Sequence, residues 1–163
     1  MTRFLVLWCL MVTAVIAQVV EARFSPGGGC TSEMVRAIDS ATSTVDLAIY
    51  SLNHPAITGS ILAAARRGVR VRMVADKTQA AGRSSKTGDV ERAKIPIHIQ
   101  RGTGGGIQHL KMAIIDRKVA LAGSFSWTVP GESKNDEILL TIRDKPTVVR
   151  CAGKFEQLWR SQP

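Results

Sequence analysis

Apolar and polar positions along the chain follow two periods, one typical of strands and one typical of helices. Short alternating or apolar runs predict strands at 19–25, 44–50, 69–74, 95–99, 108–115, 119–123 and 137–143. Wider spacing predicts a helix from Met34 to Ala41 capped by Thr31 or Ser32, further helices at 56–67 and 146–160, and a polar loop with a short helix at 76–94. This order predicts an α/β domain with a mixed, mostly parallel sheet flanked by helices.

The first 17 residues differ from the rest of the chain. Arg3 is followed by an apolar run from Phe4 to about Ile16, and Ala17 ends a small-residue cleavage site. This pattern predicts a secretory signal at 1–17, a folded domain at 18–163 and a periplasmic or secreted location. Because the run is short for a membrane span, we expect no stable membrane insertion after cleavage, with an uncleaved N-terminal anchor as the alternative.

The composition adds a basic character to this domain. The 163 residues include 22 Lys or Arg against 13 Asp or Glu, a net charge of +9. Loss of the predicted signal removes only Arg3 from this count and leaves about +8. The length excludes a multidomain protein, and the presence of a single long apolar run excludes a polytopic membrane protein. The charge predicts attraction to nucleic acid or anionic lipid, with charge that serves solubility alone as the alternative.

The cysteines leave two pairing states open. Cys9 lies in the predicted signal, so Cys30 and Cys151 remain in the domain. In an oxidising compartment they could form one disulfide, and two unpaired buried thiols are an equal alternative. Neither has a Cys or His neighbour at metal-ligand spacing, so we expect no zinc site.

The stretch 108–116 contains the most informative pattern. His109, Lys111 and Asp116 interrupt an otherwise apolar predicted strand, and strand periodicity places His109 and Lys111 on the same side. Burying ionisable side chains among apolar residues costs free energy, and a strand with a structural role alone gains nothing from it. The pattern therefore indicates a catalytic or binding site. The glycine-rich run 102–106 before it is weak evidence for phosphate binding.

A second element follows at a fixed distance. Gly123-Ser124 comes six residues after Asp116, and Asn135-Asp136-Glu137 opens the next predicted strand. With it, the sequence resembles the phospholipase D superfamily, whose signature is H-x-K-x4-D followed by six residues and G-S, and within it the small bacterial endonucleases with one motif per chain. Further matching segments are Phe24-Ser25-Pro26, 37–41, Ala48, Tyr50-Ser51, 67–69, Ile95-Pro96, 107–109 and Trp159.

The resemblance implies a phospholipase D-like half-domain that dimerises to complete a catalytic site without metal or other cofactor. One His109 would attack phosphorus to form a phosphohistidine, and His109 of a second copy would protonate the leaving alcohol. Lys111 and Ser124 would hold the phosphoryl oxygens. Glu137 would hydrogen-bond the far nitrogen of His109, and Asp116 would organise the site.

The chain departs from the family at one position. Ser126 stands where the family has Asn, which puts one phosphate contact and full catalytic strength in doubt. Trp127 and Trp159 are expected in the core or at a dimer interface, with stacking on a base as a second role for Trp127.

Three functions remain at this point. The first is an endonuclease that cuts DNA, and also RNA, without sequence preference. Its expected substrate contacts are Lys111, Ser124, Ser126, Arg83, Lys86, Arg70 and Arg72. The second is a phospholipase for anionic lipids such as cardiolipin, although the sequence has no long amphipathic helix for interfacial binding. The third is a nucleic-acid-binding protein whose site has lost activity at Ser126.

Overall fold

The computed structural model describes residues 19–161, so the predicted signal at 1–17 and Cys9 lie outside the described residues. The strands are β1 (Val20–Ser25), β2 (Thr44–Ile49), β3 (Arg70–Asp76), β4 (Ile97–Gln100), β5 (Lys111–Ile115), β6 (Val119–Gly123) and β7 (Glu137–Ile142). The helices are α1 (Cys30–Asp39), α2 (Pro55–Arg66), α3 (Lys77–Ala80), α4 (Thr87–Arg92), α5 (Val129–Ser133) and α6 (Lys145–Arg160).

The seven predicted strands are all present, and most differences lie at element ends. β5 begins at Lys111 rather than at residue 108, so His109 precedes the strand. Neither Thr31 nor Ser32 caps α1, because Gly29 in the left-handed conformation leads into the helix and Glu132 of α5 accepts the Thr31 N–H at 2.8 Å. α5 itself was not predicted. No helix of the described range is long and apolar enough to cross a membrane.

The strands form one mixed sheet in the order β1-β7-β6-β5-β2-β3-β4. β2, β3 and β4 are parallel, while the other four pairings are antiparallel. The predicted α/β fold with a mixed sheet between helices is therefore confirmed, but the parallel part is smaller than predicted. One of these pairings has a local cause, because the short connection between β5 and β6 permits only antiparallel pairing.

Both faces of the sheet are buried. Val45, Leu47 and Ile49 of β2 pack with α1, α2 and α4, whereas Ala48 packs with α6 on the opposite face. Cys30 belongs to the first core and Cys151 packs against the second, and both are free thiols. The sheet separates them and the structure has no disulfide between them; the thiols are unpaired, as in the other alternative, but only Cys30 is fully buried and Cys151 is half-buried.

Arg72 of β3 is buried under α6. Its guanidinium donates to both carboxylate oxygens of Asp46, at 2.8 and 2.9 Å, and to Glu156 of α6 at 2.8 Å. The hydrogen bonds to Asp46 hold the pKa of Arg72 above its ordinary value. The predicted contact of Arg72 with a substrate phosphate is therefore wrong, because this cation is already bound inside the protein.

We expect Arg72→Ala to lower the free energy of unfolding by about 3–5 kcal/mol, because it leaves the Asp46 carboxylate buried without its cation. Arg117→Ala is the matched control, since Arg117 donates to the same Glu156 carboxylate at 2.8 Å with its side chain 54% exposed. This control should cost less than about 1 kcal/mol. Urea titrations measure both values, and equal small losses would contradict the importance of the buried pair.

Candidate active site

His109 and Lys111 meet where β5 begins. Lys111 is 8% exposed, and its Nζ lies 3.2 Å from Nε2 of the exposed His109 and donates to the His109 carbonyl at 3.0 Å. The two side chains share one side, as predicted. Because an ammonium group only donates, Nε2 is the acceptor, so this contact fits a neutral imidazole with its proton on Nδ1.

Tyr50 packs against both of these side chains, and its role was not predicted. Its ring lies 4.6 Å from the His109 ring in an edge-on arrangement and 5.0 Å from Lys111 Nζ. The Tyr50 hydroxyl accepts a hydrogen bond from Gln79 at 3.1 Å. Burial lowers the pKa of Lys111, while the negative charge of Glu137 acts in the opposite direction.

Asp76, at the end of β3, fixes the segment that leads into His109. Its carboxylate is 1% exposed and accepts the backbone N–H groups of Gln108, Thr78 and Gln79, each at 3.0 Å. Gln108 in turn accepts the Leu110 N–H at 2.9 Å. These bonds position His109 from both sides, although sequence reasoning gave Asp76 no role. An acid directly after an apolar strand is the signal that could have identified it.

Glu137 lies at the start of β7 and faces the same region. Its carboxylate accepts the Ser126 N–H at 2.7 Å and the Asn135 side-chain amide at 3.1 Å. Within the described chain it forms no hydrogen bond with His109, so the predicted bond to the far nitrogen is not made by a single copy. Its electrostatic effect on Lys111 still places this carboxylate close to the site.

Ser124 directly follows β6 and is exposed. Its hydroxyl accepts the Ile138 N–H at 3.1 Å, and it borders a cavity of about 360 Å³ together with Glu137. Ser124 and Glu137 thus lie together, as the sequence predicts, and the hydroxyl hydrogen remains available to a phosphoryl oxygen.

Ser126 and Trp127 connect this region to the chain that follows β2. Trp127 is fully buried, and its carbonyl accepts the N–H groups of Asn53 and His54 at 3.0 Å each. The predicted stacking of Trp127 on a base is therefore wrong. Ser126 is half-buried and contributes its backbone N–H to Glu137.

Asp116 lies at the other end of β5 from Lys111, about 16 Å away at the rise of an extended strand. It accepts hydrogen bonds from the backbone of Thr42, Ser43 and Thr44 and from the hydroxyls of Thr42 and Ser43, at 2.8–2.9 Å. Despite an opposing effect of burial, these bonds hold the pKa of Asp116 well below its usual range. The expectation is that Asp116 organises the catalytic site; its contacts show that it organises the turn before β2, at the end of β5 away from Lys111.

The predicted basic contacts fall into two groups. Arg83 and Lys86 lie between α3 and α4, and the Lys86 N–H donates to the Leu52 carbonyl at 2.9 Å. Their loop therefore borders the end of the sheet that holds the site. Arg70 pairs with Thr44 at the opposite end, away from His109.

Within residues 19–161, no three His, Cys, Asp or Glu side chains cluster as metal ligands would.

The fold and the site define a phosphodiester-hydrolase class, and comparisons identify the family. Residues 34–159 match the family model described as "Cardiolipin synthase, PLD-like domain". A protein named phospholipase D from Rickettsia prowazekii is 33% identical over 143 residues, which cover 88% of this chain and 67% of the relative. The human mitochondrial cardiolipin hydrolase is 30% identical over 82% of this chain, which spans about half (52%) of that protein.

A solved structure agrees with this result. Nuc from Salmonella typhimurium, described as a phospholipase D family member, superposes with a TM-score of 0.81 at 28% identity, and the match covers 88% of this chain and 95% of Nuc. The chain therefore belongs to the phospholipase D superfamily and is a hydrolase of the phosphodiesterase type.

We expect Asp116→Asn to lower the free energy of unfolding at neutral pH by about 2 kcal/mol, because an amide cannot accept all five hydrogen bonds. The folded pKa of Asp116 is depressed. Its stabilisation is therefore present above the unfolded pKa, about 3.9, and is lost as pH falls below it. Urea titrations at several pH values should show the two proteins converging in acid. A constant difference at all pH values would contradict this assignment.

Proposed function

We propose that the protein is a metal-independent endonuclease that hydrolyses DNA, and also RNA, without sequence preference. The observation that carries the proposal is the contact between the exposed His109 imidazole and the buried Lys111 ammonium at 3.2 Å. The first group is a nucleophile with an acceptor nitrogen, and the second is a fixed cation for a non-bridging phosphate oxygen. This pair supplies the two functions that attack on a phosphodiester needs first.

The proposed reaction has two steps. Nε2 of His109 attacks phosphorus, the bond to the leaving oxygen breaks, and that oxygen takes a proton from a second imidazole. A water molecule, deprotonated by the second imidazole, then breaks the phosphorus–nitrogen bond and returns His109 to its starting state. Lys111 and the hydroxyl of Ser124 hold the phosphoryl oxygens through both steps. Ser126, at the position where the family has Asn, provides a further contact with the phosphate.

The second imidazole requires a second copy of the chain. The other histidines are His54, whose backbone N–H donates to the Trp127 carbonyl, and His98, which stacks on Trp159 with ring centres 3.8 Å apart. Within the described residues the His109 ring contacts Tyr50 and Lys111 and no second imidazole. We accordingly propose a homodimer in which the two His109 side chains face each other across the phosphate.

Charge supports nucleic acid as the substrate. The net charge is +9, and Arg83 and Lys86 border the site on the α3 side, where they can contact the backbone of a nucleic acid strand. The match over 95% of Nuc also supports a small enzyme made of this domain. We propose export of the domain by residues 1–17, to the periplasm or out of the cell.

Anionic phospholipid is the second candidate substrate. The relatives named phospholipase D and cardiolipin hydrolase favour it, as do the exposed apolar side chains Ile107 and Leu110 beside His109, which are 51% and 37% exposed. The same two steps would cleave a lipid phosphodiester, so the substrate has to be distinguished by experiment.

We expect the purified domain to cleave plasmid and single-stranded DNA in excess EDTA, and His109→Asn to reduce the rate at least about a thousandfold because it removes the nucleophile. His54→Asn is the matched control and should stay within about twofold of the wild type. Loss of cleavage in EDTA would contradict the metal-free reaction. Hydrolysis of cardiolipin vesicles with no DNA cleavage would replace the nuclease by the lipid candidate.

A further inference from the structure

A cavity of about 590 Å³ opens directly beside His109. Its walls come from the glycine-rich loop 102–106, from the segment 107–110 that contains His109, and from Lys154 and Leu158 of α6. No Asp or Glu lines it. The volume is that of a typical site for a ligand of nucleotide size.

The glycine-rich loop presents unused backbone donors to this space. Gly102 donates to Gly106, and Gly105 donates to Gly102, each at 2.9 Å, which closes the loop on itself. The N–H groups of Thr103, Gly104 and Gly106 donate to none of the residues between 19 and 161. All three residues line the cavity, and a Cβ added at Gly104 or Gly106 would meet nothing within 4 Å, so no other part of the described chain covers the loop there. Such free amides favour an anion.

Two side chains on the cavity wall also lack partners. Gln108 is 3% exposed, and its Nε2 has no acceptor within the described range although its oxygen is bonded to Leu110. An unmet donor on a buried amide is costly unless a ligand completes it. Lys154 is exposed, and no described carboxylate lies within ion-pair distance of it. The same cavity is thus bordered by the Lys154 cation, by three backbone N–H groups of the glycine-rich loop and by the unpaired side-chain amide of Gln108.

We propose that this cavity is a subsite for the nucleotide next to the phosphodiester that is cut. Lys154 and the loop amides take the flanking phosphate, and Ile107 and Leu110 pack against its base. The inference rests on the proposed nuclease function and adds a specificity determinant to it. The enzyme then prefers a strand, which has a phosphate on each nucleotide, to a compound with one isolated phosphodiester.

The make-up of the cavity wall favours a nucleotide over a lipid. Its apolar side chains are Ile107, Leu110 and Leu158, which lie beside the backbone of the glycine-rich loop, and so short an apolar surface suits a base better than a long acyl chain. Lys154 lies on the same cavity as His109, so a ligand that reaches both presents two anionic groups. Consecutive nucleotides meet this requirement along a whole strand, and cardiolipin, which has two phosphates, is the lipid that meets it too, so cardiolipin vesicles are the comparison in the test.

The test compares Lys154→Gln with Lys118→Gln, which makes the same charge change on an exposed lysine just after Asp116, at the far end of β5. The substrates are bis(p-nitrophenyl) phosphate, which has one phosphodiester, and a short single-stranded oligothymidylate. For Lys154→Gln we expect kcat/KM on the oligonucleotide to fall about tenfold, mainly through KM, and on the small diester to stay within about twofold. Lys118→Gln should change neither.

Salt dependence gives a second readout that a structural role of Lys154 would not alter. With one phosphate contact removed, the plot of log kcat/KM against log salt concentration for the oligonucleotide should become less steep by about 0.7. Unchanged slope and unchanged oligonucleotide kinetics in Lys154→Gln would overturn the subsite and leave the nuclease function in place. Equal losses on both substrates would also overturn the subsite.

Failure of the proposed function has a different signature. If the wild type hydrolyses the small diester but not the oligonucleotide, the nuclease function and the nucleotide subsite both fail. Vesicles that contain cardiolipin are the third substrate in the experiment. If Lys154→Gln impairs their hydrolysis and spares the oligonucleotide, the occupant is a lipid phosphate and the proposed nucleotide is excluded.

Discussion

The buried carboxylate of Asp76 holds together the segments that form the candidate site. It accepts one N–H from Gln108, directly before His109, and two from the first turn of α3. α3 provides Gln79, whose side chain fixes the Tyr50 hydroxyl, and the Tyr50 ring packs on His109 and Lys111. Because a buried carboxylate is costly without donors, the loop, the helix and the strand end can exist only in this mutual arrangement.

The signature residues at the two ends of β5 have different roles. The first residue of β5, Lys111, contacts His109 and holds the phosphate in the proposed reaction, while Asp116 after its last residue ties the turn before β2 to the sheet. Tight hydrogen bonding of Asp116 keeps β2 and β5 in register, and that register pairs Ile49 with Lys111 and brings Tyr50 to the site. A residue far from the chemistry thus determines the geometry of the reacting groups through the strand pairing.

The sequence predicts the fold class, all seven strands and the contact between His109 and Lys111, because strand periodicity and motif spacing are local signals. Asp76 and Tyr50 were missed, since their roles come from the pairing of β2, β3 and β5, which no local pattern specifies. Arg72 was misplaced for a related reason: alternation assigns a side chain to a face but does not show that α6 covers that face. The sequence pattern places Asp116 at the end of the predicted strand but does not show that it accepts hydrogen bonds from Thr42, Ser43 and Thr44.

In the proposed reaction, His109 becomes covalently bound to phosphorus during each turnover. Rapid mixing of the protein with a phosphodiester, followed by quenching in alkaline denaturant and mass spectrometry of the peptides, detects this intermediate, since the phosphorus–nitrogen bond of phosphohistidine survives in base. We predict an adduct on His109 that consists of the phosphoryl group with its remaining ester group, in at most about half of the chains, because one phosphate would be shared by the two copies of the proposed dimer, and none in His109→Asn. Turnover with no adduct, or an adduct on another residue, would contradict the account.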